Sequence, residues 1–297
     1  MEHGRQAMSE RPDGMKKPPW LKKRIPSVQE ISKVKSILEG TALHTVCEEA
    51  RCPNLGECFS QGTATILILG RICTRDCGFC AVEHGIPSRP DPEEPGKVAE
   101  AVKEMGLRYV VITSVTRDDL SDGGASHYAQ MIRAIRALDR TVKIEVLIPD
   151  LQGNEDALER ILQEGPDVLN HNVETVPRLY PRVRAHANYE RSLRLLRRSK
   201  DDSPHLLTKS GVMLGLGEDR GEVIEVMKDL REVRCDLLTM GQYLQPRSDR
   251  LPVVRYVTPE EFEELKRIGE EMGFQSVASG PFVRSSFHAS EMFDKNI

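Results

Sequence analysis

The sequence contains no apolar run approaching the ~20 residues that a membrane-spanning helix needs, and its first residues carry no targeting or secretory pattern. Membrane insertion is therefore not expected, and a cytoplasmic setting is. Basic charge is not in excess either: 42 Lys and Arg stand against 46 Asp and Glu, a net charge of −4. Electrostatic binding of nucleic acid needs a positive surplus, so no nucleic-acid partner is expected. Internal repeats and low-complexity tracts are absent, and the 39% hydrophobic and 30% charged residues are spread over 297 positions. That is the composition of a globular chain long enough to bury a large core.

Cysteine is scarce, 7 residues, and unevenly placed. Six fall in two triplets, Cys47-x4-Cys52-x5-Cys58 and Cys73-x3-Cys77-x2-Cys80. The seventh, Cys235, enters an apolar stretch and reads as a small buried hydrophobe. Disulfides, zinc and iron–sulfur clusters are the three chemistries that crowd thiols in this way. A disulfide framework belongs to small secreted domains that cannot build a core, which this chain does not resemble. Zinc sites usually show paired Cys-x2-Cys knuckles giving four ligands, and neither triplet completes a tetrahedral set. Iron–sulfur clusters take thiolates from crowded loops, and a four-iron cube held by three thiolates leaves one iron for another ligand. Spacing therefore favours clusters over zinc.

From residue 63 onward, strand and helix patterns alternate. The run 63–69 is apolar and β-branched, suited to a buried strand, so the second triplet is expected at that strand's C-terminal end. Further strands are predicted at 109–113, 142–148, 168–172, 210–216 and 236–240. Helices are predicted at 95–105, 127–138, 155–163, 189–200 and 220–233. Six strands with crossover helices imply a parallel α/β sheet with right-handed connections; the pattern does not separate an open sheet from a curved one. Upstream, 1–17 reads as a polar tail. Trp20 is expected to pin an extended arm to the core, and Lys22-Lys23-Arg24 reads either as part of that arm or as a basic edge for an acidic partner. Ser27 is the expected cap of a helix over 28–38. Downstream, Thr258, Pro259 and Glu261 supply start chemistry for a helix over 259–272, and 277–289 reads as a loop.

Parallel barrels place their sites at the C-terminal ends of their strands, where this chain clusters polar residues: Thr113 and Ser114, Asn170, Asn172 and Glu174, and Gln242 with Tyr243. Glu145 falls inside the third strand and Lys209 at the start of the fifth. Each alone reads as a cap or a satisfied core group, but several converging on the end that carries the cysteines form a candidate pocket. His127 and His171 read as packing or capping residues, and Asp122-Gly123-Gly124 as a turn and helix start rather than a phosphate loop. Arg178, Arg182, Arg184, Arg191, Arg194, Arg197 and Arg198 make one region basic. They read as a solvated helix face or as a surface for an acidic carrier protein.

Two motifs carry a family resemblance. Cys73-Thr-Arg-Asp-Cys77-Gly-Phe-Cys80 resembles the Cys-x3-Cys-x2-Cys loop of radical S-adenosylmethionine (SAM) enzymes. His44-Thr-Val-Cys47-Glu-Glu-Ala-Arg-Cys52-Pro-Asn-Leu-Gly-Glu-Cys58 resembles the auxiliary-cluster motif of one family among them, the lipoyl synthases. Segments at 113–120, 170–180, 189–193, 209–218, 242–244 and 255–262, and Arg284-Ser-Ser286-Phe287-His-Ala289, extend the resemblance over nearly the whole chain beyond the tail. It implies an α/β fold, the partial (β/α)6 TIM-type barrel, over 63–245. A tail over 1–17 and an extension over 18–62 with the auxiliary cysteines would precede it, and an extension over 246–297 would follow.

The resemblance also implies two [4Fe-4S] clusters and S-adenosyl-L-methionine. Cys73, Cys77 and Cys80 would hold the radical cluster, whose open iron binds SAM. Cys47, Cys52, Cys58 and Ser286 would hold an auxiliary cluster that donates sulfur. Thr113, Ser114, Asn172, Glu174 and Lys209 would line the SAM or substrate pocket. The implied reaction inserts sulfur at C6 and C8 of an octanoyl chain amide-linked to a carrier lysine. The implied partners are octanoylated lipoyl-carrier domains (E2 subunits of 2-oxoacid dehydrogenases and the H protein of glycine cleavage), a flavodoxin- or ferredoxin-type electron donor, and a cluster-repair carrier. A monomer is expected. The sequence departs from the family pattern at Phe287, in place of Tyr, and at Phe59, where Trp is frequent. Ala185-His186 replaces a Pro-containing pair, and Arg250 stands where His commonly precedes Leu-Pro-Val. Two rivals differ in class: a radical SAM enzyme modifying RNA, disfavoured by the charge balance, and a zinc-stapled binding module, separable by metal analysis.

Overall fold

Seven short runs pair side by side in chain order, each parallel to the last. They are β1 (Thr65–Ile68), β2 (Tyr109–Ser114), β3 (Lys143–Leu147), β4 (Val168–Asn170), β5 (Leu207–Leu214), β6 (Leu237–Gln242) and β7 (Ser276–Gly280). The computed structural model describes residues 16–23 and 28–294; most of the expected tail, Arg24 and the expected cap Ser27 lie outside the described residues. Helix α1 (Val28–Thr41) precedes the sheet. The crossovers are α2 (Glu94–Met105), α3 (Ala125–Leu138), α4 (Glu155–Leu162), α5 (Tyr189–Asp202), α6 (Arg220–Glu232) and α7 (Pro259–Glu271). A short helix, α8 (Ala289–Asp294), follows β7.

The local chemistry explains these elements. All four positions of β1 are buried, as expected of a strand covered on both faces, which carries no polar alternation. Helix α4 buries Ala157, Leu158, Ile161 and Leu162 as one stripe, the spacing of an amphipathic helix. Thr258 and Glu261 form a reciprocal capping box with Pro259 in the first turn of α7, as its sequence predicts. Ile66, Ile112, Ile144, Val146, Leu169 and Leu238 are almost fully buried between sheet and helices, each contributing about 1.5–3 kcal/mol of hydrophobic stabilisation.

The sheet does not close on itself. At one edge, the two-residue strand His44–Thr45 runs antiparallel to β1, His44 opposite Leu67; at the other edge lies β7. The C-terminal segment after β7 runs back across the space between them. It passes close to Gly241, where an added Cβ would lie 2.0 Å from the Val283 carbonyl oxygen. Farther on, Phe293 packs against Tyr109 at the start of β2 with ring centroids 5.6 Å apart.

Two expectations need correction. The stretch read as a loop from 277 contains a seventh parallel strand, Ser276–Gly280. Its Ser, Ala and Gly residues give little strand signal, and they are small where the C-terminal segment crosses close by. Trp20 also does not anchor the N-terminal arm: it is 38% exposed, and the neighbouring Leu21, at 8%, is the inserted residue.

Candidate active site

The second cysteine triplet occupies the loop after β1, at the C-terminal end of the sheet. The chain turns at Leu69 and Gly70, both at positive φ, and Ile72–Cys73 then pairs in parallel with Glu83–His84. Cys73 Sγ accepts hydrogen bonds from the backbone N–H of Arg75 at 3.4 Å and of Thr116 at 3.3 Å. Arg75 donates to both Asp118 oxygens at 2.6 and 2.8 Å and to Asp150 Oδ1 at 2.7 Å. Arg191 donates to the other Asp150 oxygen at 3.1 Å. Burial works to raise the Asp150 carboxyl, but the Arg75 guanidinium outweighs it and holds the group at about 2. This fork fastens the loop to the ends of β2 and β3.

Two further loops hold the triplet from the other side. Gly78 donates to Val183 O at 3.0 Å and accepts from Leu251 N at 2.9 Å. A Cβ there would lie 2.8 Å from Arg182 O and 2.9 Å from the Leu251 side chain, so only glycine fits between the two backbones. Arg250, one of the departures from the family pattern, forms an ion pair with Asp76 inside the triplet loop. Ala185-His186, another departure, lies in a turn where His186 is exposed at φ 64°.

Burial pushes the Cys77 thiol up to about 12 and the Cys80 thiol to about 11, and neighbouring triplet cysteines and Glu174 add to both rises. The charges of Arg184 and Arg250 oppose the rises at Cys77 and Cys80 respectively. Three free thiols, backbone N–H groups directed at sulfur and two guanidinium groups make a donor set that suits an anionic iron–sulfur cluster. Iron displaces the thiol protons when it binds.

The first triplet lies beside the start of β1. Cys47 is in the helical turn Val46–Glu49, and Thr45 caps that turn by accepting from Glu48 N at 3.3 Å. Cys52 N donates back to Cys47 O at 2.9 Å. Cys58 lies in the helix Leu55–Ser60, and the Thr63 N–H and hydroxyl both bond its carbonyl oxygen, at 2.9 and 3.0 Å. Phe59, another departure, is 1% exposed and packs in the core. Burial pushes Cys47 to about 12 and Cys58 to about 11, with Cys52 facing both. Ser286 lines a cavity of about 110 Å³ together with Cys58, Thr63, Thr65 and Phe287. Of the three free thiols, Cys58 shares this cavity with the Ser286 hydroxyl, and thiols with a hydroxyl suit a second cluster with a mixed sulfur and oxygen ligand set.

Among the pocket candidates, Glu174 lies within charge range of Cys77 and Cys80 and is bonded by Asn172. Asn172 Nδ2 donates to Glu174 Oε1 at 3.0 Å, while its buried Oδ1 has no hydrogen-bond partner. Such an orphaned oxygen suits a donor on a bound molecule. Glu174 adopts φ 68°, and burial raises its carboxyl against the pull of Arg184, Asn172 and Arg284. Thr113 and Ser114 end β2, where the Thr113 hydroxyl donates to Leu147 O at 2.9 Å. Lys209 lies apart from these. It is 0% exposed, as is Glu145, whose two oxygens it meets at 3.1 and 3.2 Å. Asn170 and Tyr109 also donate to Glu145, at 2.7 and 2.6 Å. The Lys209 charge is thus neutralised inside the barrel.

Both histidines are packing residues, as expected. His171 bonds Ile148 O at 2.8 Å and Ser192 Oγ at 2.9 Å, and burial lowers it to about 3. His127 pairs with Glu94 at 2.6 Å. Cys235 is 0% exposed.

Two arginines that the sequence placed only in a basic run and in the C-terminal string lie within charge range of the triplets. Arg184 donates to Tyr180 Oη at 3.3 Å and Ser192 Oγ at 3.1 Å, and its charge acts on Cys77 and Glu174. Burial pulls the Arg284 guanidinium below its ordinary value, and Cys52 of the first triplet and Glu174 oppose that. The Arg-Ser-Ser string that contains Arg284 was the available signal, but no spacing rule reveals which groups it faces.

Residues 67–230 match the family model of the radical SAM superfamily, and residues 2–52 that of the N-terminal domain of lipoyl synthase. A lipoyl synthase of Caldanaerobacter subterraneus subsp. tengcongensis is 56% identical over 275 residues, covering 93% of this chain and 96% of its own. One from Serratia proteamaculans is 56% identical over 284 residues, covering 95% and 88%. Among solved structures, HydG, a maturase of the [FeFe]-hydrogenase, aligns with a TM-score of 0.56 at 15% identity, over 90% of this chain and 69% of that one. Streptococcus suis SuiB bound to S-adenosylmethionine aligns with a TM-score of 0.52 at 13% identity, over 69% and 45%. The structural likenesses establish the shared fold.

Proposed function

The chain belongs to the lipoyl synthase family of the radical SAM superfamily, and we propose on that premise that its two cysteine triplets divide the labour of sulfur insertion. The enzyme is a sulfurtransferase that places two sulfur atoms, at C6 and C8, on an octanoyl chain amide-linked to a lysine of a lipoyl-carrier protein. It uses two [4Fe-4S] clusters and SAM. In our reading Cys73, Cys77 and Cys80 hold the radical cluster, and Cys47, Cys52, Cys58 and Ser286 hold the auxiliary cluster. Held by those three cysteines, a reduced radical cluster would supply the one-electron chemistry for cleavage of SAM and hydrogen abstraction from carbon. The auxiliary cluster is a substrate: it gives up sulfur and is consumed.

The side chains do the rest. Unactivated C–H bonds offer an acid or base nothing to act on, so positioning and shielding are the protein's task. The N–H groups of Arg75 and Thr116 stabilise negative charge on Cys73. Arg75, Asp118 and Asp150 fix the loop that carries it. Asn172, Glu174, Thr113 and Ser114 would orient SAM or the acyl chain, and Lys209 would support that floor through Glu145. The C-terminal segment passes beside Gly241, and in our reading it shields the clusters from solvent.

The observation that supports this reading is electrostatic: Arg284 lies within charge range of both Cys52 and Glu174, and Glu174 within that of Cys77 and Cys80. That proximity supports two triplets serving one substrate, whose carbon is activated at one and sulfurated at the other. The test is mass spectrometry of an octanoyl-lysyl peptide after anaerobic incubation with SAM and reductant. Gain of two sulfur atoms is expected; turnover of SAM with no sulfur gained would sink the reading.

For docking of the carrier, Arg194 and Arg197 are the better candidates within the basic region. Both are exposed, and among the described residues neither forms an ion pair. Arg178, Arg191 and Arg198 are engaged with Glu222, Asp150 and Asp202. A flavodoxin- or ferredoxin-type reductant, a cluster-repair carrier, a monomeric state and a cytoplasmic setting complete the reading. No helix among the described residues is long and apolar enough to cross a membrane.

A further inference from the structure

The basic run at residues 22–24 does not act as one surface. Lys22 is exposed, whereas Lys23 is turned inward. Lys23 Nζ donates to Asn54 Oδ1 and to Glu57 Oε2, each at 2.6 Å. It also lies over the rings of Phe282 and Phe287, 4.7 and 4.8 Å from their centroids. Asn54 and Glu57 belong to the stretch between Cys52 and Cys58. Phe282 and Phe287 bracket Ser286. A single ammonium therefore binds the auxiliary-cysteine loop to the segment that carries the proposed fourth ligand.

Neighbouring contacts act in the same direction. Asn54 is 1% exposed and donates Nδ2 to Phe282 O at 2.7 Å. Although Asn54 occupies the cap position of the helix Leu55–Ser60, its side chain makes no cap bond there. The His288 ring meets Phe287 edge-on at 4.1 Å, and His288 Nε2 lies 3.7 Å from Glu57. By contrast, the segment has little secondary structure of its own. Between β7 and α8 its backbone makes the turn bonds Val283 N to Gly280 O and Phe287 N to Arg284 O, both 3.1 Å. A segment of this kind is held mainly by what its side chains touch. Hydrogen bonds to a charged group and cation–π contacts are strong members of that class, and the Lys23 side chain is only 21% exposed.

We propose that Lys23 is a positioning residue for Ser286: its ammonium latches residues 282–287 onto the auxiliary-cysteine loop and sets how readily Ser286 leaves the cluster. The proposal rests on the reading of Ser286 as a cluster ligand. Phe287, where the family usually has Tyr, offers the ring face that the cation needs and loses nothing by lacking the hydroxyl.

The test is hydrogen–deuterium exchange of peptides covering 281–290 in the anaerobically loaded holoenzyme and in the cluster-free chain. Lys23→Met keeps the stem and removes the charge. Exchange in 281–290 should rise about tenfold in both forms, the loss expected of one charged hydrogen-bond set with its ring contacts. Iron release to a chelator during turnover should also speed up. Lys23→Arg keeps both the bonds and the ring contact and should return exchange to within about twofold of the wild type. Phe287→Leu should loosen the same peptides, and combining it with Lys23→Met should add less than the two effects separately. Wild-type exchange in both Lys23→Met and Phe287→Leu overturns the latch. The ligand reading is checked separately by the Mössbauer spectrum of the auxiliary cluster in Ser286→Ala. An unchanged spectrum overturns that reading and the positioning role with it, whereas a changed spectrum with unaltered exchange in Lys23→Met overturns the latch alone.

Discussion

Lys209 offers the sharpest separation of a structural from a ligand-binding role. Its ammonium and the Glu145 carboxylate are both 0% exposed and meet at 3.1 Å. Tyr109 and Asn170 donate to the same carboxylate at 2.6 and 2.7 Å. Lys209→Met replaces the cation with a chain of similar length and leaves Glu145 buried with only neutral donors. Removing one partner of a buried pair costs about 3–5 kcal/mol. For a domain of this size each kcal/mol moves Tm by about 2–4 °C, so a fall on the order of 10 °C is expected by circular dichroism of the anaerobic protein. Glu145→Gln in the Lys209→Met background removes the stranded charge and keeps an acceptor for Tyr109, so it should recover most of that loss. A direct SAM ligand would behave otherwise, with Tm within about 2 °C of the wild type and SAM affinity roughly tenfold weaker. That combination would refute the assignment of Lys209 to the barrel interior.

Cys73→Ala should abolish formation of 5′-deoxyadenosine, whereas Cys52→Ala should retain some of it and yield no thiolated peptide; sulfur insertion by the Cys52 variant would disprove the division of labour. Neutralising Arg194 and Arg197 should lower kcat/KM for an octanoylated carrier protein severalfold and increase its salt sensitivity, with an octanoyl-lysyl peptide little affected; equal losses on both substrates would place the defect in the barrel. Ser286→Cys supplies a softer, tighter iron ligand than a hydroxyl and should slow iron release to a chelator during turnover; release at the wild-type rate would argue against ligation. Asp150 is held at about 2, below its ordinary 3.8, so the roughly 2 kcal/mol it contributes by linkage is complete above pH 4 and is lost as pH falls through 2. Urea unfolding of the cluster-free chain should show the gap between wild type and Asp150→Asn shrinking over that window, and a constant gap would contradict the ion-pair account.

Much of the fold was legible because its signals are local. Apolar runs of four to eight residues bounded by amphipathic stretches specify a parallel sheet with crossover helices whatever the partners, and the six predicted strands lie in that order. Boundaries moved where pairing, not propensity, decides. The fifth strand begins at Leu207, three residues before the predicted start, because Leu207 already pairs with Val168. The seventh strand escaped notice for a different reason. Ser276–Gly280 carries one large apolar side chain, Val277, so pairing with β6 rather than a hydrophobic run defines the strand.

The site divides along the same line. The cysteines were legible because cluster ligands come from short loops, where chain spacing is itself the geometry. The charged residues were not, because their partners are set by the fold. Arg178 meets Glu222 across 44 positions and Arg191 meets Asp150 across 41, so a run that reads as a uniform basic face retains only part of its charge for a partner. Lys23 is the extreme case. In the sequence it is the middle of a three-residue basic run; in the structure it faces loop residues 31 and 34 positions away and two rings from the far end of the chain. Such a contact forms only after the barrel has brought both termini to its open side. The residues that hold Ser286 in place therefore depend on completed tertiary structure, and they are the ones that local rules could not supply.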